Sequence, residues 1–140
     1  MRWLVILAVL AALGVGIGSY AFASYVVLGK QVVGIDVEVA PKPEGKTAVG
    51  LNTDTDAVHL GKLHPGAGCV GRDVTVTNLY DVVASVVFRV KGLDAWVVAD
   101  PRVFVLQQGE MGTTKVSACP PVDASFGNYT GFLVATFKRR

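Results

Sequence analysis

An all-β fold, a small β-sandwich preceded by one hydrophobic N-terminal helix, is what three features of this sequence predict. Beyond Lys30, apolar and polar residues alternate at the two-residue period of a strand. The alternating runs are short, and clusters of Gly, Pro, Asn and Asp separate them. Ahead of them, Trp3 to Gly29 carries no charged residue at all.

The chain has 140 residues, enough for one domain. Its 13 basic and 11 acidic residues leave a formal charge of +2, a balance that argues against nucleic acid or another polyanion as partner. The organisation expected is a signal peptide or transmembrane anchor over residues 1–30 and a β-sandwich domain over 31–140.

The first segment reads in two ways. Met1-Arg2 is a short positive start, Leu4 to Gly18 is unbroken apolar sequence, and Ala21-Phe22-Ala23 places small residues before a cut at Ser24. That is the pattern of a cleaved secretory signal. The uncharged run is also long enough for an uncleaved anchor, since roughly 20 helical residues span a bilayer. Either way Arg2 stays inside and residues 31–140 are exported, to the cell surface or to the outer side of a membrane.

The strands follow in order. In Gln31–Val39, residues Val33, Ile35, Val37 and Val39 share one face, and Gly34, Asp36 and Glu38 the other. Pro41 and Pro43 end this run. Thr47–Leu51 and Ala57–Leu63 come next, then Arg72–Asn78 with Val74 and Val76 on one side. Val82–Lys91 aligns Val86, Phe88 and Val90. Ala95–Ala99, Arg102–Leu106, Thr113–Ala118 and Asn128–Lys138 complete the set. Seven to nine short strands with no helical stripe predict a sandwich. Trp96 lies among Ala95, Val97 and Val98 and is expected in the core. Tyr80 and Phe132 are expected at the surface.

Cys69 and Cys119 are the only cysteines, both in the exported part. An even count in an oxidising compartment predicts one disulfide.

Residues that carry chemistry are few. His59 and His64 lack the further ligands at suitable spacing that zinc needs. Asp54 and Asp56 form an oxygen-rich turn without the glycine and distal glutamate of a calcium loop. No nucleophile elbow, phosphate loop or Rossmann glycine set is present. The sequence therefore predicts no enzyme, no cofactor and no metal site. Asn128-Tyr129-Thr130 is a glycosylation sequon, making Asn128 a candidate acceptor.

Three short stretches carry a family resemblance. Asp73-Val74-Thr75-Val76-Thr77-Asn78 resembles the V-x-V-x-N strand of secreted immunoglobulin-like domains. Val103 to Glu110 is similar to their F-x-L-x-x-G-E turn. Pro121-Val122-Asp123-Ala124 followed by Gly127-Asn128-Tyr129-Thr130-Gly131 is similar to their final hairpin. The resemblance, to the surface modules of archaea and bacteria, covers about residues 72–137. It implies an immunoglobulin-like β-sandwich in which Tyr129 anchors a corner through its hydroxyl. The layout, a hydrophobic segment followed at once by an amphipathic strand, is similar to donor-strand subunits of archaeal bundling pili and threads. Archaellum stator-type proteins share it.

These resemblances imply a structural envelope protein. It would be a subunit or accessory of a surface filament, pilus or surface layer. Val33, Ile35, Val37 and Val39 would form the donor strand, pairing in their own sheet or in a neighbour's. The alternative is a membrane-anchored module that binds a membrane complex or a carbohydrate. The partners expected are a membrane, through an uncleaved helix, and copies of the chain or other envelope proteins.

Overall fold

The computed structural model describes residues 26–42, 56–93 and 95–140. The described chain is all-β. Eight strands run as β1 Val27–Val39, β2 Ala57–Leu63, β3 Val70–Thr77, β4 Ala84–Lys91, β5 Val97–Asp100, β6 Val103–Leu106, β7 Met111–Ala118 and β8 Gly127–Arg139. The expected strand Thr47–Leu51, the acidic turn at Asp54 and the N-terminal segment up to residue 25 lie outside the described residues. Among the described residues no helix is long and apolar enough to cross a membrane.

The strands form two sheets, one in the order β2-β1-β8-β4-β6 and one in the order β3-β7-β5. Alternation explains how they pack. Ile35 and Val37 of β1, Val86 and Phe88 of β4, and Leu133 and Phe137 of β8 point inward from the larger sheet. Val76, Val97, Ala99, Val116 and Ala118 meet them from the smaller one. Each side chain of that size removed from water stabilises the fold by roughly 1.5–3 kcal/mol before ordering costs. Two ring pairs add to this core. Tyr80 packs on Phe137 with centroids 5.5 Å apart, and Phe88 packs on Phe104 at 5.3 Å.

The chain's first described strand is an inner strand of the larger sheet, between β2 and β8. β1 runs antiparallel to β8, its first residue Val27 opposite Lys138 and its last, Val39, opposite Gly127. On its other side it runs parallel to β2. β1 begins at Val27, ahead of the expected Gln31, because the far end of β8 supplies pairing partners there. Alternation could not show this, since Val27 to Gly29 is uniformly apolar or small.

β2 shows how one glycine sets two faces. Gly61 has φ +79°, and the register of β1 against β2 slips at that point. The extra residue lets both Leu60 and Leu63 turn inward, 2% and 5% exposed, despite their odd spacing. A glycine tolerates that backbone at little cost.

Trp96 is half-buried against the core and stacks edge-on with Tyr129 at 5.4 Å. Phe132 is exposed. Tyr80 corrects the expectation of a surface aromatic. It packs against the core because the chain after β3 folds back over Phe137.

Candidate functional site: the β1 seams and the outer face

The four candidate donor residues lie on one face of β1. Ile35, Val37 and Val39 are each at most 2% exposed, and Val33 is half-buried against the same core. The structure places all four in the chain's own sheet, between β2 and β8. From Gly34 to Val39 the backbone of β1 is thus paired on both sides, and ahead of Gly34 on the β8 side; its apolar face supplies the floor of the core.

The seam between β1 and β2 carries two charge pairs on the outer face. His59 Nδ1 contacts the Asp36 carboxylate, and Lys62 Nζ lies 2.9 Å from Glu38. The Gly61 bulge makes the second pair possible, because it brings Lys62 opposite Glu38. Such partly exposed pairs are worth little individually, but they stand directly across the seam and favour its register. A cleft of about 500 Å³ opens here, bordered by Asp36, His59, Arg72 and Asn128. Nε2 of His59 is buried and has no hydrogen-bond partner among the described residues. His64 lies beyond the end of β2 and does not join it. No group of three or more His, Cys, Asp or Glu that could hold a metal ion occurs among the described residues. The sequence did not reveal the Asp36–His59 pairing, because it depends on a parallel register across residues 40–56.

Asn128, the sequon residue, is exposed on the outer face of β8, opposite Glu38. Tyr129 points the other way and donates its hydroxyl hydrogen to the Ser125 carbonyl at 2.8 Å. That bond ties the last turn to the start of β8.

Away from these seams, two of the stretches picked out in the sequence meet. Asn78 is fully buried. Its Nδ2 donates to the carbonyls of Val82 at 2.8 Å, Leu106 at 3.1 Å and Gln107 at 3.1 Å. Its Oδ1 accepts from the Tyr80 amide at 3.1 Å. The Asn78 amide donates to Glu110 O, and Gly109 N donates to Asn78 O. The Glu110 carboxylate accepts from Gln107 N at 2.7 Å. Gly109, at φ +74°, permits this turn. One amide side chain thus joins the β3–β4 connection to the β6–β7 turn.

Cys69 and Cys119 are joined as a disulfide. It ties the start of β3 to the end of β7, extending a ladder in which Val70 already faces Ala118. The sequence separation is 50, so in the chain-entropy description the cross-link stabilises the fold by about 4 kcal/mol. A Cys69→Ser, Cys119→Ser chain is expected to lose stability of that order in urea denaturation. A loss well under ~1 kcal/mol would contradict it.

The outer face of the larger sheet can be followed row by row from the pairings. At the end where β1 starts, Lys138 lies opposite Ser85, and Ser85 opposite Val105. Next come Lys30, Thr136, Val87 and Val103 in line. Val32, Val134 and Arg89 form the third row, and Gly34, Phe132 and Lys91 the fourth. Asp36 and Glu38 appear only beyond these, each beside its cation from β2. Cations and apolar side chains thus share one end of the face, and the carboxylates are confined to the other.

In comparisons of the chain with protein-family models, with curated proteins and with solved structures, nothing matched.

Proposed function

We propose that the chain is a non-catalytic structural protein of the cell envelope. In this reading it is an immunoglobulin-like β-sandwich, exported behind its N-terminal hydrophobic run, that joins a surface filament or layer through β1. The observation that carries the reading is the place of β1 in the strand order. In an immunoglobulin-like sandwich the second strand pairs with the fifth, the third with the sixth, and the last strand lies beside the sixth. Here β3 pairs with β7, β4 pairs with β8, and the neighbour of β8 is β1. A strand from the N-terminal end thus fills the position that a C-terminal strand would hold.

Consider β2 to β8 without β1. A groove would open between β2 and β8, with Val58, Leu60, Leu133 and Phe137 on its floor and unpaired backbone on both sides. A β1 from a second copy offers the same side chains and the same hydrogen bonds. Exchange between copies therefore costs no native contact. Open-ended exchange builds a thread.

The test is the mass and size of the native protein, by intact mass spectrometry and size exclusion in mild detergent. A start at Ser24 with large assemblies supports the reading. A start at Met1 with a monomer overturns the assembly part and leaves the anchored binding module, whose exposed rings include Phe126 and Phe132. The same spectrum reads Asn128. In this reading its sequon carries a glycan, visible as added mass that Asn128→Gln removes.

A further inference from the structure

We infer that, while the chain is tethered by its hydrophobic run, the β1-start half of the outer sheet face lies against an anionic bilayer surface. The inference rests on an uncleaved hydrophobic run, as in the anchored alternative above, and goes beyond it, since a tether alone says nothing about how the domain is oriented. Three observations support it.

The first is continuity. The uncharged run ends at Gly29, inside β1, and Lys30 is the first charged residue after Arg2. β8 ends beside that point, because Val27 faces Lys138. The basic C-terminal residues Lys138, Arg139 and Arg140 are therefore held next to the place where the chain would leave the membrane.

The second is segregation of charge. Lys30, Arg89, Lys91 and Lys138 share the first four rows of the face, and among the described residues no carboxylate stands in those rows. Those rows extend roughly 20 Å along the strands and about 14 Å across four of them. All four cations can thus lie within about one Debye length of a flat surface.

The third is exposed apolar area among the cations. Val32 is 60% exposed, Phe132 55% and Val103 54%. A soluble sheet face ordinarily carries polar residues at such positions. Interleaved cations and apolar side chains match a headgroup layer, where the charges meet lipid phosphate and the apolar tips enter the upper acyl region. A second copy of this face would bring cation against cation.

Each Lys or Arg near an anionic surface favours contact by roughly fivefold. Reversing two of them should shift the balance by at least ~25-fold toward a domain standing upright. The face-down orientation should also weaken on neutral lipid.

The experiment uses the full chain in nanodiscs, either of phosphatidylcholine alone or with phosphatidylglycerol added. A gadolinium-headgroup lipid provides the probe, and backbone amide relaxation is the readout. The expected result in anionic discs is strong enhancement over Lys30–Gly34, Arg89–Lys91 and Phe132–Lys138, with β3, β5 and β7 spared. It should fall several-fold in neutral discs and in an Arg89→Glu, Lys91→Glu chain whose spectrum stays dispersed.

Enhancement confined to Val27–Gly29 and Arg139–Arg140 in both lipids would overturn the orientation while leaving the tether intact. Outer-face amides that escape enhancement in anionic discs, with shifts that change on dilution to one chain per disc, would assign the face to a second copy and overturn it as well. A chain that does not enter the discs would overturn the tether, and this inference with it.

Discussion

Replacing Asn78 by alanine is expected to lower the unfolding free energy by about 4 kcal/mol, because several buried groups lose their partner at once. Three carbonyls, of Val82, Leu106 and Gln107, share the two hydrogens of its amide nitrogen, and the Tyr80 amide gives one to its oxygen. No water can readily replace a side chain that is fully buried. The damage should spread, since the same residue joins the β3–β4 connection to the β6–β7 turn. Asn78→Asp separates volume from hydrogen bonding. It keeps the shape but turns an oxygen toward three carbonyls, and it should be at least as destabilising at neutral pH. Urea denaturation of both variants checks this. A loss under ~1 kcal/mol in either would show that the turn holds without the network.

The second large effect concerns β1. Ile35→Asp with Val37→Asp puts two carboxylates at positions that are 2% exposed. Burying even one unpaired charge costs several kcal/mol, so β1 is expected to leave the sheet. The variant should then expose the groove between β2 and β8, bind dyes specific for apolar surface, and fail to assemble. Strand addition makes a further outcome specific. A synthetic peptide spanning Val27–Val39 should bind the variant and restore cooperative unfolding, as it supplies both the core face and the backbone bonds. A variant that still folds and assembles like the wild type would defeat the idea that β1 is the exchangeable strand. A variant that unfolds and ignores the peptide would show that β1 is needed for folding but cannot be supplied in trans.

Both effects begin from patterns visible in the sequence, though unequally. The alternation in Gln31–Val39 already put Val33, Ile35, Val37 and Val39 on one side, and the structure has them there. Period-two alternation is a local property of the backbone, so it survives without tertiary information. Boundaries moved where the local signal was flat. Val27–Gly29 could not be told from the apolar run before it, and Val70 became strand only through its pairing with Ala118. Tyr80 is expected at the surface from the sequence, whereas the backbone after β3 returns it to Phe137. The charge pairs at the β1–β2 seam could not be read at all. They depend on a parallel register and on a bulge at Gly61, and a one-residue change in either would put different side chains opposite each other.

By itself, then, the sequence determined the strand class, the inward-facing residues of most strands, the cysteines available to pair and the uncharged run ahead of β1. Those follow from composition and short-range periodicity, which every conformation of the chain shares. Only the tertiary structure decided which strand lies beside which. It set β1 next to β8, brought Asn78 to the turn at Gly109, and gathered Lys30, Arg89, Lys91 and Lys138 on one half of a sheet face. Such neighbours are far apart along the chain, and their meeting depends on how the whole set of apolar faces is best buried at once.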